Sequence, residues 1–195
     1  MKIKFQLFIC FIMLCCKTTA QTNDEHEFHT LHTFDTIKSQ KTINGIKQKD
    51  VVNSNYFFAT HYLKNDGLFL IQKKNDFWIV YDYNKEFGVN YTVKKHQNIS
   101  KKYVSINVAV SKSGIGINSY SHYVLFDLEN HAFMVLHKSS YHADENDKLH
   151  DKCESTINFK NNFFVIQRTC VPRDECDHCI ESGRYKIKNN QLVGN

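Results

Sequence analysis

The sequence predicts a mainly β, antiparallel single domain of about 8–10 strands, built as a sandwich, a barrel or a curved meander with a disulfide-stapled C-terminal region. Three observations predict it. From Tyr56 onward, short runs rich in Phe, Tyr, Val and Ile recur, the residues that suit a pleated surface. Polar turns of Lys-Asn character separate them, as in "KKNDFWIV", "FKNNFFVI" and "IKNNQLV". Asn tolerates positive φ, so such turns suit tight hairpins. Four cysteines fall late in the chain, at Cys153, Cys170, Cys176 and Cys179.

The N-terminus is read apart from the fold. Met1–Lys4 carries two lysines, Phe5–Cys16 is apolar but for Gln6, and Thr18–Ala20 is small and polar before Gln21. A basic start, a short apolar run and a small residue before the cut describe a secretory signal peptide over 1–20. The apolar run is too short for a membrane span, which takes about 20 residues, and no later stretch approaches that length. Export to a secreted or periplasmic site is expected. A lipid anchor on Cys15 or Cys16 is the lesser alternative, because each follows a residue other than the small one lipidation wants. The signal holds three lysines and no acids, so the charge of the remaining chain is +2 rather than the +5 of the whole.

Residues 21–50 are polar and read as an irregular arm. "FHTLHTFDTIKS" repeats every three residues, Phe28, Leu31, Phe34 and Ile37. A period of three keeps one face neither on a helix nor on a strand. Residues 51–195 form the β domain. The strands expected are 56–63, 67–72, 77–83, 89–94, 103–111, 122–128, 132–138, 153–160, 163–170 and 183–188. Tyr103–Ser111 alternates most cleanly, with Val104, Ile106, Val108 and Val110 on one face. Phe77–Tyr83 is apolar on both faces and reads as an interior strand. Hairpin turns are expected at Asn75, Asn130, Asn161 and Asn189, and Gly114 and Gly116 of "SGIGIN" form a turn.

The cysteines yield the sharpest geometric expectation. A two-residue turn at Asn161-Asn162 sets Cys153 directly opposite Cys170, with Phe159 opposite Phe164 and Ile157 opposite Ile166 on the same face. The cysteine pair is then non-hydrogen-bonded, with Cα atoms about 4.5 Å apart, within disulfide reach. A Cys153–Cys170 disulfide is expected. Cys176 and Cys179, in "CDHC", then form a second disulfide, local or crossed with the first, as an exported protein favours. A redox pair would open a helix, and a strand follows instead. A zinc ribbon would need a second CxxC.

Chemical motifs are few. His26, His29 and His32 lie three apart and, with Cys176, His178 and Cys179, are the weak candidates for a metal site. "HADENDKLHD" departs from an EF-hand pattern and reads as an exposed acidic loop. "SGIGIN" lacks the third glycine and the lysine of nucleotide-binding loops, and no catalytic motif and no cofactor are evident. Lys and Arg form no contiguous stripe, so no nucleic-acid partner is expected. Tyr81, Tyr83, Tyr120 and Tyr123 are candidate anchors for a binding surface. The function expected is an exported, non-catalytic binding protein that recognises a protein or glycan, as an inhibitor or immunity-type factor. A metal-binding exported protein or enzyme and a structural envelope component are the alternatives.

Overall fold

The computed structural model describes residues 26–46, 49–82, 91–114, 116–143, 146, 149–171 and 179–194. The expected signal peptide, Cys15, Cys16, Tyr83, Cys176 and His178 lie outside them. In chain order the elements are β1 (His29–Thr30), β2 (His32–Ile37), α1 (Gln40–Gly45), β3 (Lys49–Val51), β4 (Tyr56–Tyr62), β5 (Asn65–Lys74), β6 (Phe77–Asp82), β7 (Tyr91–Val93) and β8 (Gln97–Asn98). There follow β9 (Tyr103–Gly114), β10 (Gly116–Asp127), β11 (Ala132–Ala143), β12 (Leu149–Lys160), β13 (Phe163–Val171), β14 (Gly183–Lys188) and β15 (Gln191–Gly194).

They form two sheets, and every pairing is antiparallel. The smaller has the order β2-β6-β5-β4-β3; the larger runs as a meander from β9 to β15, with β7 and β8 on β9 and β1 on β11. Neither closes into a barrel. All ten expected strands are present. The expected number was too low because β1, β2, β3, β8 and β15 are short or polar.

The alternation in β9 explains how the sheets meet. Val104, Ile106, Val108 and Val110, with Val124 and Phe126 of β10, pack against Phe58, Leu68, Leu70 and Tyr81 of the smaller sheet. Phe58 and Phe126 meet across the interface with ring centroids 5.0 Å apart. The other face of β9–β11 is not wet as its polar residues suggest, and Ser105 is fully buried there. A second core covers that side, where Tyr123, Leu125, Met134 and Leu136 meet Phe164 and Ile166 of β13 and Leu192 of β15. The meander can supply it because β12 pairs with β11 only over residues 139–143, then leads the remaining strands back over the sheet. A third core lies on the far face of the smaller sheet. There Ile43 and Ile46, at and just after α1, cover Trp78 and Val80 of β6, while Ile79 and Tyr81 face the first core. Two buried faces are what the uninterrupted apolar run of β6 implied.

Within the segment read as an irregular arm, residues 26–46 carry β1, β2 and α1. β1 pairs with the start of β11, on the edge that β12 leaves open, and β2 pairs with β6 in the other sheet. The chain therefore crosses between sheets at Leu31, and a register shift between Thr33 and Asp35 interrupts β2. Each event resets the two-residue phase, and the resets turn alternation into an apparent period of three. Phe28, Leu31 and Ile37 consequently enter three different cores. Phe34, at the register shift, stays 44% exposed.

The asparagine turns hold as expected at Asn75, Asn161 and Asn189, where φ is 44°, 53° and 51°. Near Asn130 the positive φ falls on His131 instead. Asn161-Asn162 and Asn189-Asn190 both place two consecutive residues at positive φ, the geometry of a type I′ hairpin. Replacing Asn161 with Ala should cost about 1 kcal/mol, because a Cβ residue without a locally bonding amide is strained there. Asn161→Gly should cost less than Asn161→Ala. Chemical denaturation of the two variants checks the order.

Candidate functional site

The β12–β13 register is the expected one throughout, from Lys160↔Phe163 to Cys153↔Cys170. The disulfide is not. Cys153 bonds Cys179, with Cα atoms 6.1 Å apart. Cys170, though opposite Cys153, is disulfide-bonded elsewhere, and its partner is outside the described residues. Cross-strand opposition permits a bridge but does not compel one. Here the chain after β13 returns Cys179 over β12, held by Ile180 N–H donating to His137 O at 3.0 Å and Arg168 Nη1 donating to Cys179 O at 3.1 Å. A local Cys176–Cys179 pair is excluded with it, and so is Cys179 as a thiolate ligand or redox partner of Cys176.

The candidate metal histidines are likewise separated. His29 lies on β1 in the larger sheet, its ring 5.7 Å from that of Phe133, whereas His32 lies on β2 in the smaller sheet opposite Asp82. His26 precedes both strands. Among the described residues no three His, Cys, Asp or Glu side chains are grouped to hold a metal. Of the candidate tyrosine anchors, Tyr81 and Tyr123 turn inward. Tyr123 is buried in the second core. Tyr81 stacks on His131 at 5.1 Å and donates to Gln72 Oε1 at 3.1 Å, while Gln72 Nε2 donates to Tyr56 Oη at 2.6 Å. Burial, with Tyr81 beside it, pushes the Tyr56 hydroxyl up to about 12. This network joins the smaller sheet to the β10–β11 turn, since Tyr56 Oη donates to Leu128 O at 3.0 Å.

What the sequence concealed is a cationic face. Register places Lys160 of β12, Phe163 of β13 and Arg184, Lys186 and Lys188 of β14 on the outer face of the last hairpins. The four cations are exposed. Arg184 and Lys186 each lie 4.2 Å from the centre of the half-buried Phe163 ring, within cation–π range. Successive cations on β14 are about 7 Å apart, the two-residue repeat of a strand. Glu154, the described acid on this face, lies at the far end of β12 and is 3.5 Å from Lys152. The inner face of the same strands buries Phe164, Ile166 and Leu192, so the outer face must remain outward. The signal was present in "GRYKIK", basic at every second residue. It is a stripe on a strand, although it forms no contiguous run.

A second feature is an open groove of about 470 Å³ between α1 and the β4–β5 turn, lined by Lys41, Ile46, His61, Tyr62 and Leu63 among others. Its floor is fixed by Tyr62, which is buried and donates to Asp35 Oδ2. Burial and that hydrogen bond raise the Tyr62 pKa, so the phenol remains the donor.

His122 and His137 face each other across β10 and β11, rings 4.7 Å apart. Burial, and then His137, push the His122 pKa from 6.5 down to about 4. The unfolded chain therefore takes this proton first. The stability that neutral His122 contributes is complete above about pH 6.5 and is lost as the pH falls from there toward 4. Urea midpoints at about pH 7 and pH 4.5 should fall further for the native protein than for His122→Gln. Equal falls would refute that titration.

The fold defines a class, an antiparallel two-sheet β protein whose C-terminal meander is tied by a disulfide. No family model, no curated protein and no solved structure matches the chain. Among the described residues no helix is long and apolar enough to cross a membrane.

Proposed function

We propose that this is an exported binding protein that docks an anionic glycan on the outer face of β12–β15. The observation that carries the reading is the grouping of the exposed Lys160, Arg184, Lys186 and Lys188 around Phe163 on one face. Cations two residues apart along a strand suit an extended polyanion, and an aromatic ring among them suits a sugar. Export is supported by the signal-like N-terminus and by a disulfide, which persists in oxidising compartments.

Retention on an immobilised sulfated polysaccharide tests the binding. The native protein should be retained at low salt and released as salt screens the contacts. The triple variant Arg184→Gln, Lys186→Gln, Lys188→Gln should bind roughly 10-fold more weakly, each exposed ion pair contributing up to about 1 kcal/mol. Equal retention of native and variant protein would refute the site, and tighter binding to duplex DNA would refute the glycan. The intact mass of exported protein should begin at Gln21; a retained leader or a lipid on Cys15 or Cys16 would overturn the processing.

A further inference from the structure

Three adjacent strands of the larger sheet each supply one member of a hydrogen-bonded chain. His142 of β11 stands opposite Asp151 of β12 in register, and its Nδ1 lies 2.9 Å from Asp151 Oδ2. Its Nε2 lies 3.0 Å from the Tyr120 hydroxyl of β10, with the two rings edge to face at 5.4 Å. An ionised carboxylate only accepts, so Nδ1 of neutral His142 carries the proton and Nε2 presents a lone pair. The Tyr120 hydroxyl must then donate to Nε2. The direction of these two hydrogen bonds follows from the aspartate, and they end with a base aimed at a phenol.

A nucleophile within hydrogen-bond reach of a base, itself oriented by a third group, is the arrangement that activates hydroxyl nucleophiles. The His142 and Asp151 side chains are 23% and 28% exposed and Tyr120 is half-buried, so the group is reachable from solvent yet held by its strands. We propose that Tyr120 is a nucleophile that accepts an acyl group from an activated ester, with His142 as general base and Asp151 as its positioning residue. The Tyr120 oxygen bonds the acyl carbon as its proton passes to His142 Nε2. The bond from that carbon to the departing phenoxide or thiolate breaks, and His142 returns the proton to the leaving group. No oxidant or reductant is needed. The inference goes beyond the glycan-binding reading and does not rest on it.

The test uses the whole exported protein and 4-nitrophenyl acetate, with peptide mapping of the acetylated residue over time. Tyr120 should be acetylated before any other tyrosine, and Tyr120→Phe should abolish the early release of 4-nitrophenolate. His142→Gln should slow acetylation of Tyr120 roughly 100-fold, the ordinary contribution of a positioned base. Asp151→Asn, which keeps the size of the side chain, should slow it as well and provides the test should His142→Gln fail to fold. The inference is overturned if Tyr120 reacts no faster than the other tyrosines, or if folded Asp151→Asn or His142→Gln protein is acetylated at the native rate.

Discussion

Replacing both Cys153 and Cys179 with serine should lower stability by about 3.5 kcal/mol, the chain-entropy value for a loop of their 26-residue separation. The double replacement avoids a stray thiol that could exchange with the remaining cystine. The effect is large because the bridge secures more than a loop. Cys179 precedes Ile180, which is buried in the second core and whose carbonyl accepts from the buried Ser155 hydroxyl at 2.9 Å. Urea unfolding under oxidising conditions measures the difference as a fall in midpoint. Proteolytic mapping of the native protein should recover Cys153 joined to Cys179. Recovery of Cys153 joined to Cys170 would overturn the connectivity.

Phe126→Ala should cost about 4 kcal/mol, within the range for truncating a buried aromatic. Phe126 is fully buried on β10 and meets Phe58, 2% exposed on β4, across the gap between the sheets. Truncation removes apolar burial and opens a cavity bounded by two rigid sheets, neither of which can collapse into it alone. A double-mutant cycle with Phe58→Ala should give a coupling of about 0.5–1.5 kcal/mol, the value of a tilted aromatic pair beyond its area. Strict additivity would mean that the rings do not contact in solution.

The strands were legible because alternation and asparagine turns are local signals. Asn161-Asn162 alone determined which residue faces which over the whole β12–β13 hairpin, and that register held to Cys153↔Cys170. The bridge itself was not legible, since the return of Cys179 depends on contacts with β11 that no hairpin contains. β1 and β2 were missed for a related reason. Their pairing comes from edges made by β11 and β6, and the change of sheet at Leu31 erased the periodicity that would have announced strands. The cationic face was written in "GRYKIK" but required a strand period to be read. The chain of Tyr120, His142 and Asp151 has no motif at all, because three strands assemble it by register.

The pairing of the N-terminal segment has a temporal consequence. Glu27 bridges to Gln191, and Phe28 N–H donates to Asn190 O at 2.8 Å. About 160 residues separate these partners, a long-range closure that must await the last hairpin. As the chain is made from its N-terminus, Glu27 and Phe28 therefore wait, unseated, until nearly the whole chain has emerged, whereas β1 can pair as soon as β11 is present. Phe28 cannot enter its core before then. The second core, which Phe28 shares with Leu192 of the last hairpin, is therefore completed last.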